Sequence, residues 1–257
     1  MRVCVLQADN RPTLDFLLKT QTVNKLYCNI LKYDYVFLKI DDTKYTHLHP
    51  ATKKIHIVNE FLKRPFDVLV FLDSDAWIQN GFWLNIMIHN LMNSNKQGCF
   101  SRDPYLKVYT YINSGSFIIK NNEYTKQMYS RFVKELETNP RYHNTWPYDQ
   151  YYISNYIFEN KKDFTIFVPD ILNTTIGKVL RHNWPKNEKM HYDLNKLTHV
   201  LLNFIKKKPS GNITFNETKY YDNKEFPNKL DNGYEYKENI RVLKHKKKQL
   251  NTLLITK

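Results

Sequence analysis

The run Val68-Leu69-Val70-Phe71-Leu72 leads without interruption into Asp73-Ser74-Asp75-Ala76-Trp77, so an apolar segment delivers two carboxylates to one point of the chain. A run this apolar belongs in a strand buried on both faces, the kind found in parallel sheets covered by helices. Charge at the end of such a strand needs a reason. In open α/β sheets the carboxyl edge is where ligands bind, and two aspartates separated by one residue can share a hard divalent cation. Such a cation neutralises a diphosphate and eases its departure as a leaving group.

The flanking sequence supports that placement. Residues 2–7 read as a short apolar strand closed by the turn-like Ala8-Asp9-Asn10-Arg11-Pro12, and Phe16, Leu17, Val23, Leu26 and Ile30 give residues 13–31 helical spacing. Residues 35–40 read as a second strand, and 52–62 as a helix with Ile55, Val58 and Leu62 on one face. The strand that ends at the aspartates, residues 66–72, is the third. Further on come a helix at 81–92, an extended stretch at 98–101, a strand at 116–119 and helices at 124–136 and 149–158, with late strands at 164–168 and 178–181. This alternation predicts an α/β fold with a parallel sheet between two layers of helices. It ends near residue 205, which divides the chain into an α/β domain over 1–205 and a basic extension over 206–257. The extension is expected to pack on the domain or link it to a partner, and residues 239–254 suggest a basic helix.

Bulk properties exclude some classes and leave others open. With 42% hydrophobic and 15% aromatic residues in 257, the chain has enough material for one sizeable core and is not disordered throughout. Its formal charge of +14 suggests an anionic partner, and nucleic acid, an acidic membrane surface and a phosphorylated small molecule all qualify. Lysine runs at 206–208 and 246–248 account for part of the excess as solvated faces. Cys4, Cys28 and Cys99 are odd in number and widely spaced, and read as reduced thiols. The first residues turn polar too soon for a leader or anchor, and no later segment has 18 uninterrupted apolar residues. A cytoplasmic location is the expectation, with the sequons at Asn173, Asn212 and Asn216 incidental.

Two more motifs follow the aspartates. Asn113-Ser114-Gly115 reads as a tight polar turn entering an apolar strand, the glycine allowing close backbone approach to a ligand. Asp149-Gln150 opens a helix, where Asp149 could serve as an N-cap. In this order and spacing, the strand-end Asp73-Ser74-Asp75, Asn113-Ser114-Gly115 and Asp149-Gln150 resemble the GT-A nucleotide-diphospho-sugar glycosyltransferases. The likeness is to the galactosyl-, mannosyl- and xylosyltransferases of fungi and plants among them, and to related enzymes of large DNA viruses that glycosylate capsid proteins. It covers residues 1 to about 205.

The resemblance implies a Rossmann-like, mixed and mainly parallel sheet flanked by helices. It also implies transfer of a sugar from a UDP- or GDP-sugar to a hydroxyl of a glycan or glycoprotein. Asp73 and Asp75 would hold Mn²⁺ or Mg²⁺, with His182 as third ligand ahead of His191 and His199, and an imidazole ligand favours manganese. Asn113, Ser114 and Gly115 would lie beside the donor sugar, with Asp103 bonded to its hydroxyls or else to Arg102. Gln7, Ala8 and Asp9 would face the base and ribose, and Lys53 or Lys54 the phosphates. Ser74 and Gln150 complete the donor-side set. Asp149 would deprotonate the acceptor in an inverting enzyme, or support the sugar in a retaining one. For a viral chain the compartment would be the host cytoplasm.

Two rivals make different use of the same residues. A haloacid-dehalogenase-like phosphotransferase would use Asp73 as nucleophile, but that motif wants Thr or Val where Trp77 stands. A basic nucleic-acid-binding protein would account for the charge, yet the aromatic residues form no recognisable nucleic-acid motif.

Overall fold

A computed structural model describes residues 1–104 and 111–207. The helix expected at 239–254, the sequons at Asn212 and Asn216 and most of the basic extension lie outside the described residues. The elements begin β1 (Val3–Asp9), α1 (Asp15–Leu31), β2 (Asp34–Lys39), α2 (Pro50–Phe61), β3 (Val68–Leu72), β4 (Ala76–Ile78) and α3 (Gly81–Met92). There follow β5 (Gly98–Arg102), β6 (Ile112–Lys120), α4 (Glu123–Thr138), α5 (Asp149–Glu159), β7 (Phe164–Phe167), the short α6 (Pro169–Leu172), β8 (Leu180–His182) and α7 (Glu188–Lys207).

Six strands form one sheet in the order β2-β1-β3-β6-β5-β7. The pairs β1–β2, β1–β3 and β5–β7 are parallel, whereas β6 runs antiparallel to both β3 and β5. The sheet is therefore mixed and mainly parallel, as the resemblance implies, and the parallel sheet that strand–helix alternation suggests by itself is corrected at β6. The physical reason is the connection. β5 ends at Arg102 and β6 begins at Ile112, which leaves fewer residues than the dozen or so that a crossover between parallel neighbours needs, so the two strands pair antiparallel.

Alternating side chains send the strands' apolar residues to opposite faces. Val3, Val5, Val68, Val70, Leu72 and Ile118 join one cluster with Tyr27 and Ile30 of α1, Leu84 and Ile88 of α3 and Met190, Leu194 and Leu201 of α7. Cys4, Leu6, Leu69, Phe71, Phe117 and Ile119 join the other with Ile55 and Val58 of α2, Phe132 of α4 and Ile157 of α5. Both faces are thus covered, as expected of strands with no polar face.

Three local features depart from the sequence reading. Asn113, Ser114 and Gly115 lie inside β6, not in a turn before it, because pairing with β5 resumes at Ser101–Asn113 after a register shift. The residues just past the aspartates form β4, which pairs antiparallel with β8 and matches Ala76 to His182. Helix α7 was not anticipated, although Met190, Leu194 and Leu201 recur on one buried face. It packs along α1 and runs through residue 205 to Lys207.

Candidate active site

Strand β3 ends at Leu72, and the chain turns through Asp73 and Asp75 before entering β4. Because β4 pairs with β8, the same ladder brings His182 to the turn. The His182 Nε2 atom lies 3.1 Å from Asp75 Oδ1 and 3.9 Å from Asp73 Oδ2. Among the described residues, Asp73, Asp75 and His182 form a group whose ligand atoms all lie within 4.8 Å of one another.

A chain of hydrogen bonds orients the imidazole. His182 Nδ1 lies 3.2 Å from Asn113 Oδ1, which also accepts the Gly115 backbone N–H at 2.9 Å. The Asn113 amide nitrogen points the other way and donates to Asp103 Oδ2 at 3.3 Å. This network assigns a proton to Nδ1 and turns Nε2 toward the carboxylates, the arrangement in which an imidazole ligates a metal. Two carboxylates and one such nitrogen fit a divalent cation. Gly115 has a role that differs from the one read in the sequence: a Cβ there would collide with the His182 ring, so the close approach it permits is to a protein side chain.

Positive charge surrounds the carboxylates. Lys54 Nζ, buried in α2, lies 2.7 Å from Asp73 Oδ1 and 3.3 Å from Asp149 Oδ2, so one ammonium links the two aspartates. Lys186 Nζ lies 3.2 Å from Asp75 Oδ2 and is itself 39% exposed. Burial favours a neutral Asp75, yet His182 and Lys186 outweigh it and hold the carboxyl well below the usual carboxylate range. Burial likewise opposes charge on His182, but Asp75 and Asp73 raise its pKa above the ordinary imidazole value. For Lys54 too, burial lowers the pKa and the pull of Asp149 and Asp73 more than reverses it.

Asp149 behaves differently. Burial pushes its carboxyl up to about 6, against the pull of Lys54 and with repulsion from Asp73 adding to the rise. It is the first residue of α5 rather than its cap. The cap is Tyr148, with φ 55° and ψ −132°, a conformation that non-glycine residues rarely adopt. The Tyr148 ring stacks on His49 at the start of α2, with 4.2 Å between centroids. Gln150, next along α5, donates to Asp103 Oδ2 at 2.7 Å, while its oxygen faces the Ser114 N–H at 3.5 Å. Asp103, Asn113 and Gln150 thus form one polar cluster beside His182.

The remaining sequence candidates separate. Asp9 ends β1 and binds Arg11 through both carboxylate oxygens at 3.0 Å; burial works to raise its pKa, but the bonds from Arg11 outweigh it and lower it. Ala8 is buried in β1, paired with Leu38 of β2. Ser74 is buried, and its carbonyl accepts from Thr20. Lys53 does not reach the aspartates: its ammonium faces the carbonyls of Asp41 and Asp42, because consecutive helical residues point about 100° apart. Gln7, expected to face the nucleotide, is fully buried with both ends of its amide bonded to protein. His191 sits beside Asp15 and Lys19, and His199 bonds Asn203, so His182 alone of the three joins the carboxylates. Lys186 was missed by sequence reasoning. Its signal was a cation four residues after a candidate ligand histidine.

The sequence matches the nucleotide-diphospho-sugar transferase family over residues 7–211. No curated protein matches it. Among solved structures, the fold resembles a glycosyltransferase involved in glycosylation of the major capsid of PBCV-1, with 16% identity and a TM-score of 0.59 over 77% of this chain and 99% of that one. It also resembles the glycosyltransferase GlyE of Streptococcus pneumoniae TIGR4, with 12% identity and a TM-score of 0.55 over 81% of this chain. The match spans 64% of the length of GlyE. No helix among the described residues is long and apolar enough to cross a membrane. The family match over most of the chain and the mixed sheet shared with these structures show that the chain belongs to the nucleotide-diphospho-sugar transferases and is a glycosyltransferase of the GT-A fold.

Proposed function

We propose that this glycosyltransferase moves a sugar from a UDP- or GDP-sugar to a hydroxyl of a glycan or glycoprotein, using Mn²⁺ held by Asp73, Asp75 and His182. The observation that carries the reading is the convergence of those three ligands with Lys54 and Asp149 at the carboxyl end of β3. A divalent cation bound there supplies Lewis-acid compensation for the charge that develops on the departing diphosphate. The imidazole among the ligands favours manganese over magnesium.

The protein's own residues do the rest. Lys54 and Lys186 offer ammonium groups to the phosphates. Asp103, Asn113 and Gln150 form the polar wall against which the donor sugar's hydroxyls bind. Asp9, at the end of β1, and Ser74, in the turn between β3 and β4, flank the nucleoside. Asp149 stands beside the reacting carbon. If the anomeric configuration inverts, it takes the acceptor's proton, for which a pKa of about 6 is well suited. If the configuration is retained, it supports the sugar from the opposite face.

A glycoprotein acceptor and a viral setting, in host cytoplasm, are the extension suggested by likeness to the capsid-glycosylating enzyme. The buried thiols of Cys4, Cys28 and Cys99 accord with a reducing compartment.

A panel of UDP- and GDP-sugars, each assayed for thermal stabilisation with and without Mn²⁺, tests the reading. One donor should raise the melting temperature only when the metal is present. Asp75→Ala should abolish that shift together with metal-dependent donor hydrolysis. A flat response to every donor, or undiminished hydrolysis by the variant, would overturn it.

A further inference from the structure

Gln7 of β1 and Thr20 and Asn24 of α1, all fully buried, meet behind the Asp73–Ala76 turn, beside the apolar cluster between α1 and the sheet. Three uncharged polar side chains in a core are costly unless each finds partners. Their partners are the backbone of the metal-ligand turn. Gln7 Nε2 donates to the carbonyls of Asp73 at 3.0 Å and Ala76 at 3.1 Å. Thr20 Oγ1 lies 2.9 Å from both the Ser74 carbonyl and the Leu17 carbonyl of its own helix, so its one proton is shared between them. Asn24 receives the Ile78 N–H at 2.8 Å, just past the turn. The Asp75 carbonyl accepts the Asn183 N–H at 3.0 Å, next to His182. Every carbonyl from Asp73 to Ala76 is thereby held, although none lies in the main sheet.

A second tier fixes the first. Gln7 Oε1 accepts from Asn24 Nδ2 at 3.0 Å and from the Tyr35 hydroxyl at 2.7 Å, so the amide has a single satisfied orientation. We infer that Gln7, Thr20, Asn24 and Tyr35 are positioning residues for the metal site, clamping the backbone of Asp73-Ser74-Asp75 so that its carboxylates meet His182 in ligating geometry before the cation arrives. The inference rests on the proposed metal reading and goes beyond it, because it assigns metal affinity to residues that touch neither metal nor donor. A carboxylate pair on an unheld turn pays the ordering entropy on binding, whereas a clamped pair has been ordered by folding.

The test measures Mn²⁺ affinity directly, by electron paramagnetic resonance titration of the full chain without donor. Thr20→Val keeps side-chain volume and removes the bond to Ser74; Tyr35→Phe removes only the hydroxyl that orients Gln7. Each should weaken Mn²⁺ binding by about tenfold, the lower end of the effect of outer ligand-supporting groups. Thr125→Val is the control, because it deletes an equally buried hydroxyl at the cap of α4. It should lower the melting temperature and leave Mn²⁺ affinity unchanged. Equal Mn²⁺ affinity in wild type, Thr20→Val and Tyr35→Phe would overturn the inference while leaving the metal site standing. So would an equal loss in Thr125→Val. Failure of the wild-type protein to bind Mn²⁺ would overturn both.

Discussion

The α-carbon of Gly115 forms the seat of the His182 imidazole: a Cβ built on the glycine would collide with the Cε1 and Nδ1 atoms of the ring. The contact joins β6, in the middle of the sheet, to β8, in the small two-stranded ladder, and lets Nε2 reach Asp75 at 3.1 Å. Gly115→Ala must therefore displace the histidine, since the colliding group is a buried ring hydrogen-bonded to Asn113. Overpacking of this kind costs about 1–3 kcal/mol. The expected outcome is a lower melting temperature and loss of Mn²⁺ affinity of at least about tenfold, measured by metal titration of the folded variant. A variant that binds Mn²⁺ as tightly as wild type would show that His182 is not a ligand.

The buried Asp149 makes stability depend on pH. Its folded pKa of about 6 lies above the ordinary value of 3.8, so the folded state holds a proton that the unfolded chain releases. For a carboxyl raised in this way, the destabilising effect is absent below pH 4, grows as pH rises from about 4 to about 6, and is complete above that. Asp149→Asn should accordingly raise the melting temperature of the metal-free protein relative to wild type above pH 6, with the difference shrinking toward pH 4. Thermal melts across this range check it; a difference that widened toward acid would contradict the assignment. The same variant should lose transfer activity.

Lys54 and Lys53 are adjacent in sequence and have opposite expectations. Lys54 is the cation shared by Asp73 and Asp149, so Lys54→Met leaves two carboxylates without their nearest counter-charge. Removing one partner from a buried ionic cluster costs roughly 3–5 kcal/mol, and transfer should fall with it. Lys53→Met removes only long contacts to the Asp41 and Asp42 carbonyls. Its donor affinity should stay within about twofold of wild type. Calorimetric donor binding on both variants decides which lysine serves the site.

Lys186 presents a half-exposed ammonium beside Asp75. Lys186→Ala should weaken binding of UDP or GDP by about tenfold, the size of one charge-assisted hydrogen bond, and leave binding of the free nucleoside unaltered. The difference should shrink at high salt, because the group is partly in solvent. Equal weakening of nucleotide and nucleoside would place the lysine away from the phosphates.

The sequence alone determined the element types whose signal is local. The apolar run to Leu72 had to be an interior strand, and the spacing of Phe16, Leu17, Val23 and Ile30 had to be a helix. The two aspartates had to emerge at a strand end, and the motif order around them pointed to the family that the comparisons show. Helix α7 was equally legible from Met190, Leu194 and Leu201, although the sequence reading assigns no element between residues 182 and 205.

Tertiary structure alone decided which residues share the site. Among His182, His191 and His199, the sequence offered candidates without coordinates; pairing of β4 with β8 brings the first to the carboxylates, and α7 carries the others to its own surface. Whether Lys53 or Lys54 meets Asp73 depended on the rotation of α2 against the sheet. Gln7 reads as a polar residue near a ligand-binding edge, yet Tyr35, Asn24 and the Asp73 and Ala76 carbonyls occupy every part of its amide. Periodicity reports which face of an element is buried. It carries no information about which polar group, tens of residues away, arrives to satisfy another once the layers close.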